Sequence, residues 1–525
     1  MKSFTIFGLL AMMAVANDTS KTEASDPIEA TTRQRIHPIL IRRDFNPLLQ
    51  VRIEAKQKAV FLSSIMFSLE GTDDLADVES LQVFLTGDNE HFSTGVQFGD
   101  RKLAAREVTF HGNVRLNTGV NTFWLSCRLN ASASLDHKVD AQCMHVETTA
   151  GKIVARDETP GVRKRIGIAL RKHFDDGIHT YRIPALATTP QGTLLCVYDM
   201  RRRVGRDLQE DIDIGLLRST DGGQSWEPQR VIMDMHEYGD LPQEQNGCSD
   251  PGIIVDPKTG EIFVAAVWTW GRPGTHQWSK GGSEPGFEIG QTAQFLMVRS
   301  RDDGRTWSEP ENLTRKLKKE EWILFVPSPQ QGIALRDGTL IMPSQGRDEQ
   351  DREFSNIMVS RNHGETWTLS NPASIDNSES QAVQLGDGSI MLNCRTETGE
   401  KFRTVVVTRD LGESWQPHET NRNTIIEPRC NGSTYRFDYT EDGEQRYIFV
   451  FANPHSQSAR DHQTIQISFD DGQTWPEQYH LLLDVGRGAG YPSLSRAGPR
   501  HLGIVYEGSQ AHLTFERIPL AELLD

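Results

Sequence analysis

From residue 27 to about residue 160, the apolar positions fall in short runs separated by polar turns. AVFLSSIMFSL (59–69), SLQVFLTG (80–87), TFWLSCRL (122–129) and DAQCMHVETT (140–149) are rich in β-branched and aromatic residues. Short runs at this spacing predict an N-terminal β-sandwich over 27–160. From residue 165 to 525 the pattern becomes a repeat. A strand such as IDIGLLRS, QFLMVRS, NIMVS, TVVVT or TIQIS is followed by an eight-residue turn of the form STDGGQSW. Five copies of the turn start at Ser219, Ser300, Ser360, Thr408 and Ser468. Upstream lie paired apolar runs, GIIVDPKTGEIFVAAVW (252–268), GIALRDGTLIMPSQ (332–345) and QAVQLGDGSIMLNCR (381–395). Each repeat is therefore expected to hold four antiparallel strands, and counting strand groups gives six, one without the turn. The predicted fold is all-β: a six-bladed β-propeller over 165–525, preceded by the sandwich.

The turn has its own logic. Its third residue, Asp or Asn, can accept hydrogen bonds from nearby backbone N–H groups, and its Gly supplies a positive φ. The first Ser or Thr and the final Trp are expected to clamp the turn to its blade, with the Trp ring buried between strands. This makes the motif a structural staple with no chemistry of its own.

The first residues add a location. Lys2, the apolar stretch Phe4 to Ala16 and the small-residue site Ala14-Val15-Ala16 form a secretory signal over 1–16. A polar linker over 17–26 follows. A periplasmic or secreted protein is expected. No later segment is apolar enough to span a bilayer. The formal net charge of −16 argues against nucleic acid and against anionic membranes as partners. Six scattered Cys (Cys127, Cys143, Cys196, Cys248, Cys394, Cys430) contain no C-x-x-C pair, hence no zinc or redox signature. Cys127 and Cys143 are open to two readings, a disulfide or buried free thiols.

The candidate chemistry lies between the turns. HTYRIPAL (179–186) opens the first blade, and TLLCVYDMRRRVGRD (193–207), CSDPGIIVD (248–256), NSESQAVQL (377–385), FRTVVVTRDLG (402–412), ARDHQTIQIS (459–468), GAGYPSL (488–494) and IVYEG (504–508) follow. The eight-residue turns resemble the Asp-box of sialidase-type propellers. YRIP resembles the Phe/Tyr-Arg-Ile-Pro motif of exo-α-sialidases (neuraminidases), and the later segments match that family in order. The overall pattern is similar to sialidases of gut-type Gram-negative bacteria, which carry such an N-terminal sandwich.

The resemblance implies a set of roles. Arg182, Arg403 and Arg460 would clamp the substrate carboxylate, with Glu507 steadying Arg182. Arg201, or its neighbour Arg202, and Asp250 would hold the sugar's 4-hydroxyl. Tyr491 would be the nucleophile, Glu379 its base and Asp207 the acid/base. The chemistry suits these residue types. Arginines bind a carboxylate through charge-assisted, partly bidentate hydrogen bonds. A neutral Tyr approaches an anomeric centre that already bears an anion without the repulsion a carboxylate would meet. It departs in this from the usual pair of carboxylates, as sialidases do. A phenol with pKa near ~10 then needs a base.

The expected activity is hydrolysis of terminal α-linked sialic acids on sialylated glycans, with retention. No cofactor and no metal are expected, and the protein is expected to be a monomer. Two other readings share the residues: a trans-sialidase, including an intramolecular one, and a propeller lectin that binds without cleaving. Trp268, Trp270 and Trp278 lie in a blade loop, where they either wall an acceptor site or pack the fold. The sandwich is open to two readings, a carbohydrate-binding domain or a structural one.

Overall fold

The computed structural model describes residues 28–525. The predicted signal and linker lie outside this range. The described chain is overwhelmingly β, with only two short α-helices, Thr314–Leu317 and Leu520–Leu524.

The N-terminal region holds two sheets. One runs Arg156–Asp157, Ile28–Arg33, Asn46–Ala55, Gly119–Leu129, Val78–Gly87, Val96–Gln97, and the other Gly151–Ile153, Gln142–Thr148, Phe61–Ser68, Glu107–Arg115. Period-two alternation decides which side chains meet. Phe123, Leu125 and Cys127 point into one apolar cluster with Ile65, Phe67 and Phe110 of the other sheet. Trp124, on the opposite face, is not an open platform. It is 3 % exposed and stacks edge-on with Phe92. The same cluster runs on through Tyr181, Leu186 and Phe515 of the repeat region, so the two regions share one core.

The repeat strands fall into groups, called units in chain order, the first two joined in one nine-stranded sheet through Ile212 and Gly247. The first is Thr180–Thr188, Leu194–Arg201, Ile212–Ser219, Arg230–Met233, and the second Gly247–Val255, Ile262–Thr269, Gln294–Ser300, Glu311–Asn312. The third centres on Leu340–Arg347 and Glu353–Ser360. The fourth begins at Asn377–Gln384 and the fifth at Ser433–Glu441. The sixth, Pro492–Gly498, His501–Tyr506, Leu513–Pro519, takes its outer strand, Lys164–Arg171, from the chain before the first unit. Neighbouring units touch through their leading strands, and Pro492–Gly498 touches Thr180–Thr188, so the contacts run round a circuit.

The eight-residue turns behave as expected at the backbone. In the second copy, Ser300 Oγ donates to Asp302 at 2.9 Å and accepts from Gly304 N–H at 3.0 Å. Asp302 Oδ1 accepts from Thr306 N–H at 2.8 Å. Asn362 repeats the pattern, accepting from Thr366 N–H at 3.0 Å. Gly223 has φ +88°, and a Cβ there would stand 2.2 Å from the Phe515 ring. The Trp rings differ from expectation. All five are half-buried: Trp226, Trp307 and Trp475 donate to the Gly carbonyl of their own turn, and Trp415 donates to the Asn371 carbonyl at 3.2 Å.

The fourth residue of the turn, which sequence reading passed over, ties units together. Asp303 accepts from Thr189 and Thr193 in the hairpin of the first unit at 2.6 and 2.7 Å. His363 pairs with Asp256 of the second unit at 2.7 Å, and Asp471 accepts from Gly386 N–H of the fourth at 3.0 Å. All six cysteines are buried free thiols, including Cys127 and Cys143.

Candidate active site

A polar pocket of about 410 Å³ opens at the starts of the leading strands, lined by Asp207, Asp250, Glu379, Arg395 and Tyr491 among others. A cavity of similar volume at the opposite strand ends, lined by Ala187, Ile253, Ala382 and Ser495, holds none of the predicted residues.

At the centre of the pocket a phenol meets a carboxylate. Tyr491 Oη donates to Glu379 Oε1 at 2.5 Å. Tyr491 precedes the strand Pro492–Gly498 and Glu379 lies near the start of Asn377–Gln384, so two leading strands bring them together. Both are buried. Burial first, and then the Glu379 charge, pushes the Tyr491 phenol well above its ordinary pKa.

Cations surround this pair. Arg395 Nη1 donates to Glu379 Oε2 at 2.9 Å and to Tyr491 Oη at 3.0 Å. The guanidiniums of Arg182 and Arg460 each stand 5.4 Å from the centre of the Tyr491 ring. Arg182 is fixed by Glu507, donating to it from Nε at 2.8 Å and from Nη2 at 3.2 Å. Glu507 also accepts from the N–H groups of Ile183 (2.7 Å) and Tyr491 (3.2 Å), so one buried carboxylate orients both residues. Arg460 is held by the carbonyls of Ala489 (3.0 Å) and Arg429 (2.9 Å).

Arg403 does not join this group. It has no exposed surface and its donors are spent inside its own unit. Nε donates to Asn393 Oδ1 at 2.6 Å, and Nη1 to Glu427 and to the Cys430 carbonyl, both at 2.8 Å. Where Arg403 was expected to face the pocket, Arg395 does so. The two arginines flank one hairpin, between Ile390–Thr396 and Thr404–Thr408, and spacing from the turn motif cannot tell which one faces the pocket. The available signal was topological: Arg395 ends the second strand of its unit, as Arg201 does in the first. Arg395 has further partners that sequence reading also missed. Glu397 lies 2.9 Å from its Nε and pairs with Arg429 at 2.5 Å.

Arg201 is also displaced from its expected role. It is wholly buried, donating to Asp199 at 2.9 Å and 3.1 Å and to the Gly205 carbonyl at 2.8 Å, and it pairs with Asp207. It lies beneath Asp207, not on the pocket wall. Arg202 pairs with Asp213 and is no substitute. Asp207 stands at the tip of the loop between Leu194–Arg201 and Ile212–Ser219, about half exposed, with Arg182 Nη1 3.7 Å away. Desolvation raises its carboxyl, but the Arg201 and Arg182 charges outweigh this and bring it to about 2. Asp250 does line the pocket, with its N–H donating to Asp199 at 2.9 Å. Burial, then the Asp199 and Glu379 charges, holds its carboxyl well above the usual range. Of the three loop tryptophans, Trp268 and Trp270 pack in the core of the first two units, and Trp278 borders the pocket.

An all-β repeat protein whose polar pocket sets a phenol–carboxylate pair among guanidiniums is built as an enzyme for an anionic substrate. Residues 192–504 match the BNR repeat-like domain, and residues 27–102 and 93–152 match the N-terminal domain of BNR-repeat neuraminidase. The chain is 34 % identical to a sialidase of Bacteroides fragilis, covering 99 % of this chain and 98 % of that one. It is 26 % identical to an exo-alpha-sialidase of Aspergillus fumigatus over 63 % of this chain and 79 % of that one. Among solved structures, the Hadza microbial sialidase Hz136 superposes with a TM-score of 0.87 at 35 % identity, covering 94 % of this chain and 99 % of that one. The chain belongs to the BNR-repeat neuraminidase, or sialidase, family.

Proposed function

We propose that this chain is an exo-α-sialidase that removes terminal α-linked sialic acids from glycans with retention, using Tyr491 as nucleophile. The observation that carries this reading is the 2.5 Å hydrogen bond from Tyr491 to Glu379, with Arg395 3.0 Å from the same hydroxyl. Arg182, Arg395 and Arg460 bind the substrate carboxylate at the pocket floor. Glu379 takes the phenol proton as Tyr491 attacks the anomeric carbon, and the neighbouring guanidiniums stabilise the oxygen as its charge develops. Asp207 protonates the departing oxygen, then deprotonates the water that releases the sugar.

The Arg201 and Arg182 charges favour the ionised form of Asp207. A carboxylate bound to Arg182 offsets part of that field and adds a like charge nearby, so substrate binding itself raises Asp207 toward the protonated form. Asp250, whose carboxyl burial and the Asp199 and Glu379 charges hold well above the usual range, would meet a sugar hydroxyl.

The fold proposed for this activity is a six-bladed β-propeller closed by Lys164–Arg171, with an N-terminal β-sandwich over 27–160. The circuit of contacts between leading strands supports it. A periplasmic or secreted monomer acting on sialylated glycans completes the proposal, on the strength of the N-terminal sequence and the anionic surface. The test is Tyr491→Phe, assayed for release of the aglycone from an aryl α-sialoside and for sialic acid binding by calorimetry. Turnover is expected to fall on the order of 10³-fold or more while binding stays near wild type. Wild-type turnover would remove Tyr491 from the mechanism.

A further inference from the structure

The loop that carries Asp207 is held in an unfavourable backbone. Leu208 (φ +54°) and Glu210 (φ +62°) are both in the left-handed region, which non-glycine residues seldom adopt. Such a backbone persists only where the surroundings over-determine it, and here they come from the 270–283 loop of the second unit. Leu208 is buried in an apolar cluster with Val267, Ala293, Leu324 and Val326, and Trp278 covers this cluster. Gln209 donates to the Thr275 carbonyl, and Glu210 N–H to that of Gly271. Gly271 is required there, since a Cβ would stand 2.6 Å from the Glu210 carbonyl oxygen. Trp278 is itself anchored from the third unit, its carbonyl accepting from Arg347 Nη1 at 2.6 Å. A chain of packed groups thus runs from the third unit, through Trp278 and Leu208, to the residue adjoining Asp207.

We propose that Trp278 is a positioning residue for the acid step: by packing against the cluster that buries Leu208 it holds the strained 207–210 backbone and so keeps Asp207 over the reacting bond. The proposal rests on Asp207 being the acid/base. It assigns to Trp278 no contact with the sugar and no part in forming the bond to Tyr491. Loosening the cover therefore affects the protonation of the leaving group and leaves the nucleophilic half of the reaction in place.

Leaving-group dependence separates these effects. An aryl sialoside expels a stable phenolate and depends little on a general acid, whereas sialyl-lactose expels a sugar alkoxide that must be protonated. The variants are Trp278→Ala, Trp278→Phe, Leu208→Gly and Asp207→Ala, each checked for a wild-type melting profile. Leu208→Gly accepts φ +54°, removes the apolar side chain and frees the backbone that the cluster holds. It keeps the test decisive if Trp278→Ala does not fold. Trp278→Ala and Leu208→Gly are expected to lose tenfold or more in kcat/KM on sialyl-lactose beyond any loss on the aryl substrate, a part of the roughly 10²- to 10⁴-fold a positioned general acid supplies. Trp278→Phe, which still packs against this cluster, is expected to restore most of this, and Asp207→Ala to show the same selectivity more strongly. Equal losses on both substrates in the Trp278 and Leu208 variants, with Asp207→Ala selective, would overturn the positioning role alone. An unselective Asp207→Ala would overturn the acid assignment and the proposal with it.

Discussion

Arg395 and Arg403 lie eight positions apart on one hairpin, yet they do opposite work. Arg395 faces the pocket and reaches the Tyr491 hydroxyl, while Arg403 is sealed inside the fourth unit against Glu427. The contrast gives a direct prediction. Arg395→Gln should cost on the order of 10²-fold or more in kcat/KM, since it removes a donor aimed at developing charge, beyond any stability lost with its Glu379 pair. Arg403→Gln should instead lower stability by about 3–5 kcal/mol, because Glu427 is left as an unpaired buried charge. Urea titration and steady-state kinetics on both variants check this, and exchanged phenotypes would restore Arg403 to the clamp. The individual residues of the pocket were legible where a motif pinned them. YRIP marked Arg182, Gly-Tyr-Pro marked Tyr491, and Glu379 and Glu507 fell where the family pattern put them. Arg395 was not legible, because two arginines near one turn look alike until strand pairing fixes which end of the sheet each occupies. Trp278 was noticed only as one of three loop tryptophans, since its value lies in what it covers.

At the scale of the element, the eight-residue turn both closes its own hairpin and fastens neighbouring units. Asp303 shows this best. It accepts from two hydroxyls of the adjacent unit, and Arg218, which is almost wholly buried, pairs with it. Asp303→Ala is expected to cost about 3 kcal/mol, the lower end for breaking a buried pair, because Glu227 still holds Arg218. Activity per folded molecule should stay at the wild-type level, as the turn lies at the far strand ends from the pocket. Calorimetry together with an assay on the folded fraction tests this, and an unchanged melting temperature would reduce the turn to a hairpin closure. The sequence marked these turns at the right places, since Ser, Asp and Gly do local work that needs no distant partner. The inter-unit role of the fourth residue was invisible, because Gly222, Asp303, His363, Leu411 and Asp471 share no chemistry and share only a position.

Over the whole molecule, the N-terminal region and the repeats meet around a buried lysine. Lys164 starts the strand that completes the sixth unit, and its Nζ lies 3.1 Å from His37 Nε2 and close to the Arg35 carbonyl. Desolvation, only partly offset by the Asp484 and Cys127 charges, lowers it to about 7. The unfolded chain keeps this proton up to its ordinary pKa near ~10.4, so between pH 7 and 9 the unfolded state binds more protons than the folded one. Stability is therefore expected to rise with pH across that window, by up to about 1.4 kcal/mol per unit from this group. From the unfolded thiol pKa near ~8.5 upward the six buried cysteines, all pushed up by desolvation, act in the opposite direction. Urea midpoints of wild type and Lys164→Met at pH 7 and 8 isolate this group: the stability of the wild type relative to the variant should rise between them. An equal slope in both would place the titration elsewhere.

The sequence by itself determined the all-β class, the repeat, the turns and several residues that line the pocket. These depend on period-two burial, on positive-φ glycines and on side chains whose chemistry is intrinsic to the residue. Only the tertiary structure decided which arginine joins Tyr491, that Arg201 supports Asp207 from below, and that the N-terminal region shares its core with the repeats. Each of these is a question of which atoms meet across strands far apart in the chain. Burial and charge pairing settle it there, with Glu427 claiming Arg403 and leaving Arg395 to the pocket.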